Sequence, residues 1–85
     1  MKHPRKLKYV IDRNGFPILF TEAMQHSDFK HFGPISAGFY KLIPTKDEQG
    51  NLYTEAVAYG ESLSLKMKSQ VGDDKLIEFV CNESY

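Results

Sequence analysis

The chain has a single cysteine in 85 residues, no tryptophan and no charge excess, with eleven Lys and Arg against eleven Asp and Glu. Each shortage excludes a class of protein. One cysteine cannot close an internal disulfide, and without a Cys pair there is no zinc module of the usual spacing. The expected compartment is therefore a reducing cytoplasm. A chain that binds nucleic acid through its backbone normally carries surplus Lys and Arg to neutralise phosphates, and over the whole sequence that surplus is missing. No apolar run approaches the roughly 20 residues of a membrane span. The basic start, Met1-Lys2-His3-Pro4-Arg5-Lys6, is not followed by the apolar segment of a signal peptide.

Enough apolar material remains for a fold. At 41% apolar and 26% charged residues, the chain lies outside the composition of disordered segments. Its length fits one domain over 1–85, with residues 1–6 loosely ordered.

Turn chemistry divides the chain. Asn14-Gly15 tolerates positive φ at both positions, the signature of a two-residue hairpin. Such a loop puts Ile11 opposite Ile18 and Tyr9 opposite Phe20, and so collects Leu7, Tyr9, Ile11, Phe16, Ile18 and Phe20 on one face. Pro17 offers no donor to a further strand, which makes the second strand an edge. Thr21 or Ser27-Asp28 can cap a short helix within 21–32, with Met24, Phe29 and Phe32 buried and Gly33-Pro34 ending it. Residues 35–43 read as a strand whose Gly38 marks a bulge or a close approach by a backbone or a bulky ring. Residues 44–51 read as a loop and 52–59 as a strand. Residues 62–68 read as another, alternating Leu63, Leu65 and Met67 with Ser62, Ser64, Lys66 and Lys68. Gly72 or Asp73 caps a last helix with Leu76, Ile77, Phe79, Val80 and Cys81 as its apolar stripe. The predicted order β-β-α-β-β-β-α describes an α+β domain: a mainly antiparallel sheet of about five strands with helices over one face.

Catalytic and metal constellations are weak. His26 and His31 are five apart, about 140° around a helix, and nothing nearby completes a metal site, so surface histidines are favoured over a metal or hydrolytic centre. Cys81 falls on a buried stripe, where a thiol behaves as a small apolar group. Gly60-Glu61-Ser62 lacks the context of a nucleophile elbow, and no phosphate loop or dinucleotide fingerprint is present. No catalytic residue, metal or cofactor is assigned, and the chain reads as non-enzymatic.

Tyrosine is the surplus. Tyr40, Tyr53, Tyr59 and Tyr85 exceed what a thin core can hide, and exposed tyrosine suits an interface. The binding surface expected here is an open sheet face carrying Gly38, Tyr40, Tyr59, Ser62, Ser64, Lys66 and Lys68. Its partner is a protein, a second copy of the chain included. The alternative is a small nucleic-acid or nucleotide module that uses Lys66, Lys68 and neighbouring tyrosines.

Ile35-Ser36-Ala37-Gly38-Phe39, then Val57-Ala58-Tyr59-Gly60-Glu61-Ser62-Leu63-Ser64-Leu65, resembles a family of small uncharacterised proteins of phages and bacteria. The opening hairpin and the helical turn holding His26-Ser27 are similar too, so the resemblance spans roughly residues 7–80. It implies a phage or prophage setting, hence a host cytoplasm, and no established activity. The segment 46–51 is longer than the turn such proteins carry there.

Overall fold

Two short sequence patterns, each used twice, build most of the turns and helix starts in the computed structural model, which describes residues 6–83. The first is Asp-x-x-Gly. Asp12 Oδ1 accepts the backbone N–H groups of Asn14 (2.8 Å) and Phe16 (3.0 Å), while Gly15 at φ 84° donates to the Asp12 carbonyl at 3.0 Å. Asp47 does the same for Gln49 and Asn51, both at 2.9 Å, with Gly50 at φ 83° donating back at 3.0 Å. Each is a three-residue hairpin loop with glycine at the left-handed position.

The first of these loops joins β1 (Leu7–Ile11) to β2 (Pro17–Thr21). Because the loop holds three residues rather than two, Tyr9 lies opposite Leu19 and Val10 opposite Ile18. The expected pairing of Tyr9 with Phe20 is thus off by one residue. A slip of one transfers every β2 side chain to the other face. Ile18 and Phe20 join Val10, and Leu19 crosses over to join Tyr9.

The second loop joins β3 (Ser36–Lys46) to β4 (Leu52–Tyr59). β4 has the predicted limits, but β3 runs on through Pro44, read from the sequence as loop. Asp47 donates to the Asn51 carbonyl at 3.0 Å, and counting back in twos places Pro44, opposite Thr54, at a non-hydrogen-bonded pair. Its missing donor therefore faces away from β4. β1 pairs with β3 no further along than Tyr40, so that side asks for no donor either. The four strands form an antiparallel sheet in the order β2-β1-β3-β4, with Pro17 on an edge strand as expected.

The second pattern is Gln-x-x-Asp. A 3-10 helix over His26–Phe32 starts with Asp28 Oδ2 accepting the Gln25 N–H at 2.8 Å, and ends at Gly33 in the left-handed region. The cap is Gln25 with Asp28, not Thr21 or Ser27. Phe29 packs on the core, whereas Met24 and Phe32 are exposed. In the same way Asp73 Oδ2 accepts the Gln70 N–H at 2.9 Å where α1 (Asp73–Glu83) begins. At Gln25 the Asp28 side chain reaches back to the N-cap amide and satisfies one of the orphan donors of the helix start, whereas Gln70 lies two residues ahead of Gly72, whose carbonyl takes the first bonds of α1.

The strand expected over 62–68 is instead a tight hairpin of β5 (Glu61–Ser62) and β6 (Met67–Lys68), a second, two-stranded sheet. Lys66 takes φ 56° in its turn. The Ser62 hydroxyl accepts the Leu65 N–H at 3.2 Å, and that local bond stabilises a turn where alternation suggested a strand. Leu65 and Met67 pack on Val10, Phe20 and Ala37, while Leu63 is 80% exposed.

The architecture is α+β and mostly antiparallel sheet, with both faces of the large sheet in use. α1 covers Tyr9, Ile11, Tyr40 and Ala56 through Ile77. The 3-10 helix and the β5–β6 hairpin cover Val10, Phe20 and Ala37 on the opposite side. No open sheet face of the expected kind remains beside β1. No helix among the described residues is long and apolar enough to cross a membrane. Residues 1–5, with Lys2 and Arg5 of the basic start, and Tyr85 lie outside the described residues.

Candidate functional site

The seven residues expected to share one wet face are divided by the fold. Gly38, Tyr40 and Ser62 are buried, while Tyr59, Ser64, Lys66 and Lys68 are exposed. Gly38 does mark a close approach, but of the chain's own backbone: a Cβ there would meet the Tyr59 carbonyl oxygen at 2.7 Å and that of Gly60 at 3.3 Å. Tyr40 belongs to the core under α1, its ring edge-on to Tyr9 with centroids 6.5 Å apart. These three residues maintain the fold and present no surface to a partner.

Two buried polar centres were not legible in the sequence. The first is His26, on the 3-10 helix. Its Nε2 donates to the Gly38 carbonyl at 2.8 Å, and its ring stands edge-on to Phe20 and Phe39, each at 5.4 Å. Burial lowers its pKa, and the Lys8 charge adds to that against the opposing bond to Gly38. It is thus a buried neutral histidine, not a surface one. His31 is exposed, its ring tilted against Phe32. Among the described residues no group of three or more His, Cys, Asp or Glu is placed to hold a metal ion.

His26 makes stability depend on pH with a definite sign. The unfolded histidine takes up a proton near 6.5, whereas the folded one resists it to a lower pH. Stability is therefore complete above about 6.5 and is lost as pH falls toward the folded value. Chemical denaturation at pH 7.5 and 5.5 should give a clear drop for the wild type and a smaller one for His26→Phe. Equal drops in both proteins would remove His26 as the group responsible.

The second centre joins residues 64 positions apart. The Tyr9 hydroxyl donates to Asp73 Oδ2 at 2.5 Å, and the pair is sealed, with Tyr9 0% and Asp73 5% exposed. Burial, then the hydrogen bond and charge of Asp73, hold the Tyr9 hydroxyl far above its ordinary pKa, against a lowering contact from Ser69. Among the described residues no buried side-chain polar atom lacks a partner. Both centres are satisfied from within the fold.

The outer surface carries the more informative arrangement. The apolar residues of α1 span roughly 200° of its circumference at about 100° per residue, more than one sheet can cover. Ile77 is fully buried and Cys81 packs beside it, its thiol pushed up by burial. Glu78 and Asn82 turn toward β4 and bond its backbone. Leu76, Phe79 and Val80 stand at i, i+3 and i+4 on the outer side of the helix, with Phe79 next to Glu78 and Asn82 and 67% exposed. The stripe expected to be wholly buried is thus half core and half surface. Comparison of the chain with family models, curated proteins and solved structures finds no significant match.

Proposed function

We propose that the chain is a small non-enzymatic accessory protein that works by binding another protein, a second copy of itself included, through apolar surface. The observation that carries this reading is the flank of α1, where Leu76, Phe79 and Val80 stand at i, i+3 and i+4 and are 38%, 67% and 38% exposed. Contiguous large apolar side chains on a chain this small favour an interface over a solvated face. The resemblance of residues 35–39 and 57–65 to phage and bacterial proteins makes a modulator of a host protein, acting in the host cytoplasm, the setting we propose. The nucleic-acid reading has less support. Lys66 and Lys68 are exposed, but Tyr40, which was to share their face, lies in the core.

The test is Phe79→Asp, compared with the wild type in capture from a bacterial lysate. Exposed substitutions of this kind usually change stability by about 0.5 kcal/mol or less, so the variant should keep its fold by circular dichroism. A partner retained by the wild type and lost from the folded variant supports the α1 flank. The same partner on both proteins moves the interface elsewhere. Strong binding to short single-stranded nucleic acid that weakens steeply with salt would replace the proposal with the nucleic-acid one.

A further inference from the structure

β4 is an edge strand of eight residues, and its outward backbone is occupied in an unusual way. In an antiparallel pair, alternate residues turn their N–H and C=O groups toward the partner strand. Asp47 and Asn51 are hydrogen-bonded, so the bonds to β3 fall on the odd residues of β4. Thr54 and Ala56 therefore point outward, where a fifth strand would pair. Asn82 Oδ1 accepts the Thr54 N–H at 3.0 Å, and Asn82 Nδ2 donates to the Thr54 carbonyl at 2.8 Å. Its carboxamide reproduces both bonds that one residue of a neighbouring strand would make. One turn earlier, Glu78 Oε2 accepts the Ala56 N–H at 3.2 Å. Asn82 is itself steadied by a bond to the Glu78 carbonyl at 2.9 Å.

We propose that the β4 edge is a strand-pairing surface for a second copy of this chain, held closed by Asn82 and Glu78. The inference does not rest on the α1 flank, although Phe79 of that flank borders Glu78 and Asn82. Two β4 edges can meet antiparallel about a two-fold axis, and the side chains select the register. An axis between Thr54 and Ala56 would set Glu55 against its own copy, a like-charge pair that opposes association. An axis at Ala56 instead sets Glu55 opposite Val57 and Tyr53 opposite Tyr59 of the second copy. Both tyrosines lie on the same face of β4 and both are exposed. They would meet twice across the axis, at non-hydrogen-bonded positions where cross-strand side chains come closest. Unprotected edges invite such pairing, and side chains that satisfy the edge are one way to prevent it.

The experiment compares the wild type with Glu78→Ala/Asn82→Ala by sedimentation equilibrium, using circular dichroism to verify folding. A monomeric wild type and a double variant of twice its mass are expected. Thr54→Pro added to the double variant removes one outward donor at an edge position that tolerates proline, and should return the protein to monomer. If the double variant does not fold, Asn82→Ala alone, on an exposed last-turn position, serves the same comparison. A folded variant that stays monomeric overturns the proposal. So does a dimer unaffected by Thr54→Pro, a wild type already dimeric through β4 with both caps in place, or open-ended polymer in place of a dimer.

Discussion

Gly38→Val is expected to lower the thermal midpoint by roughly 10–20 °C, the largest effect of any single substitution considered for this chain. Gly38 lies in the middle of the sheet, opposite Tyr9 of β1. A Cβ at this position would come within 2.7 Å of the Tyr59 carbonyl oxygen and 3.4 Å of Ser69 Cβ. The first neighbour is backbone, fixed where Tyr59 pairs with Phe39 at the end of β4 and Gly60 turns the chain at φ 76°. It cannot swing aside as a flexible side chain would. The Gly38 carbonyl also receives His26, so a shift of β3 disturbs the 3-10 helix as well. Overpacking of this kind costs typically about 1–3 kcal/mol, and with a backbone neighbour the upper end applies. A domain of this size gains only about 5 kcal/mol or a little more from folding. Gly38→Ala is the sharper probe, because the clash is with Cβ itself. Thermal melts that find alanine harmless would show that the packing around Gly38 is wrongly described.

Tyr9→Phe is the second large effect, at about 1.5–3 kcal/mol. The substitution keeps the ring against Tyr40 and Ile77 and deletes only the hydroxyl that reaches Asp73. The Asp73 carboxylate then keeps its bond from the Gln70 N–H but loses its buried side-chain donor. A buried charged acceptor deprived of a partner costs more than an average hydrogen bond contributes. Asp73→Asn should be damaging for the complementary reason, and the double variant should be less unstable than the two single losses added together. Urea denaturation of all four proteins yields that coupling, and a value near zero would sink the pairing. The pH response gives an independent check. Because Tyr9 holds its proton more tightly when folded, its contribution is complete below about pH 10 and is lost as pH rises beyond that. Tyr9→Phe should flatten the alkaline limb of the stability curve.

The sequence carries local chemistry well and distant competition poorly. Asn14-Gly15 announced a hairpin correctly, but the register belonged to Asp12, whose side chain bonds two amides and lengthens the loop by one residue. The same Asp-x-x-Gly signal at Asp47 and Gly50 was present and would have extended β3 past Pro44. Gly38 within a strand marks a close approach, yet whether a partner or the chain's own Tyr59 fills it depends on where β4 ends. Ser62 and Ser64 alternate with leucines as strand residues do. Their hydroxyls instead lie 3.3 Å apart within a turn.

By itself the sequence determined what single residues and short loops decide: a hairpin at Asn14-Gly15, an edge strand at Pro17, a helix end at Gly33, a strand over 52–59 and a helix following Gly72. These follow from backbone geometry within a few residues, which no distant contact needs to supply. Tertiary structure alone decided which apolar residues are core and which are surface. Burial is a competition for a limited area of sheet. Ile77 takes that area and Phe79 does not, although both belong to one apolar stripe. The Tyr9–Asp73 bond, the His26 seat on Gly38 and the Asn82 cap on Thr54 likewise join groups far apart in the chain. Such pairings arise only once register and twist have brought the elements together, so no local pattern in the sequence encodes them.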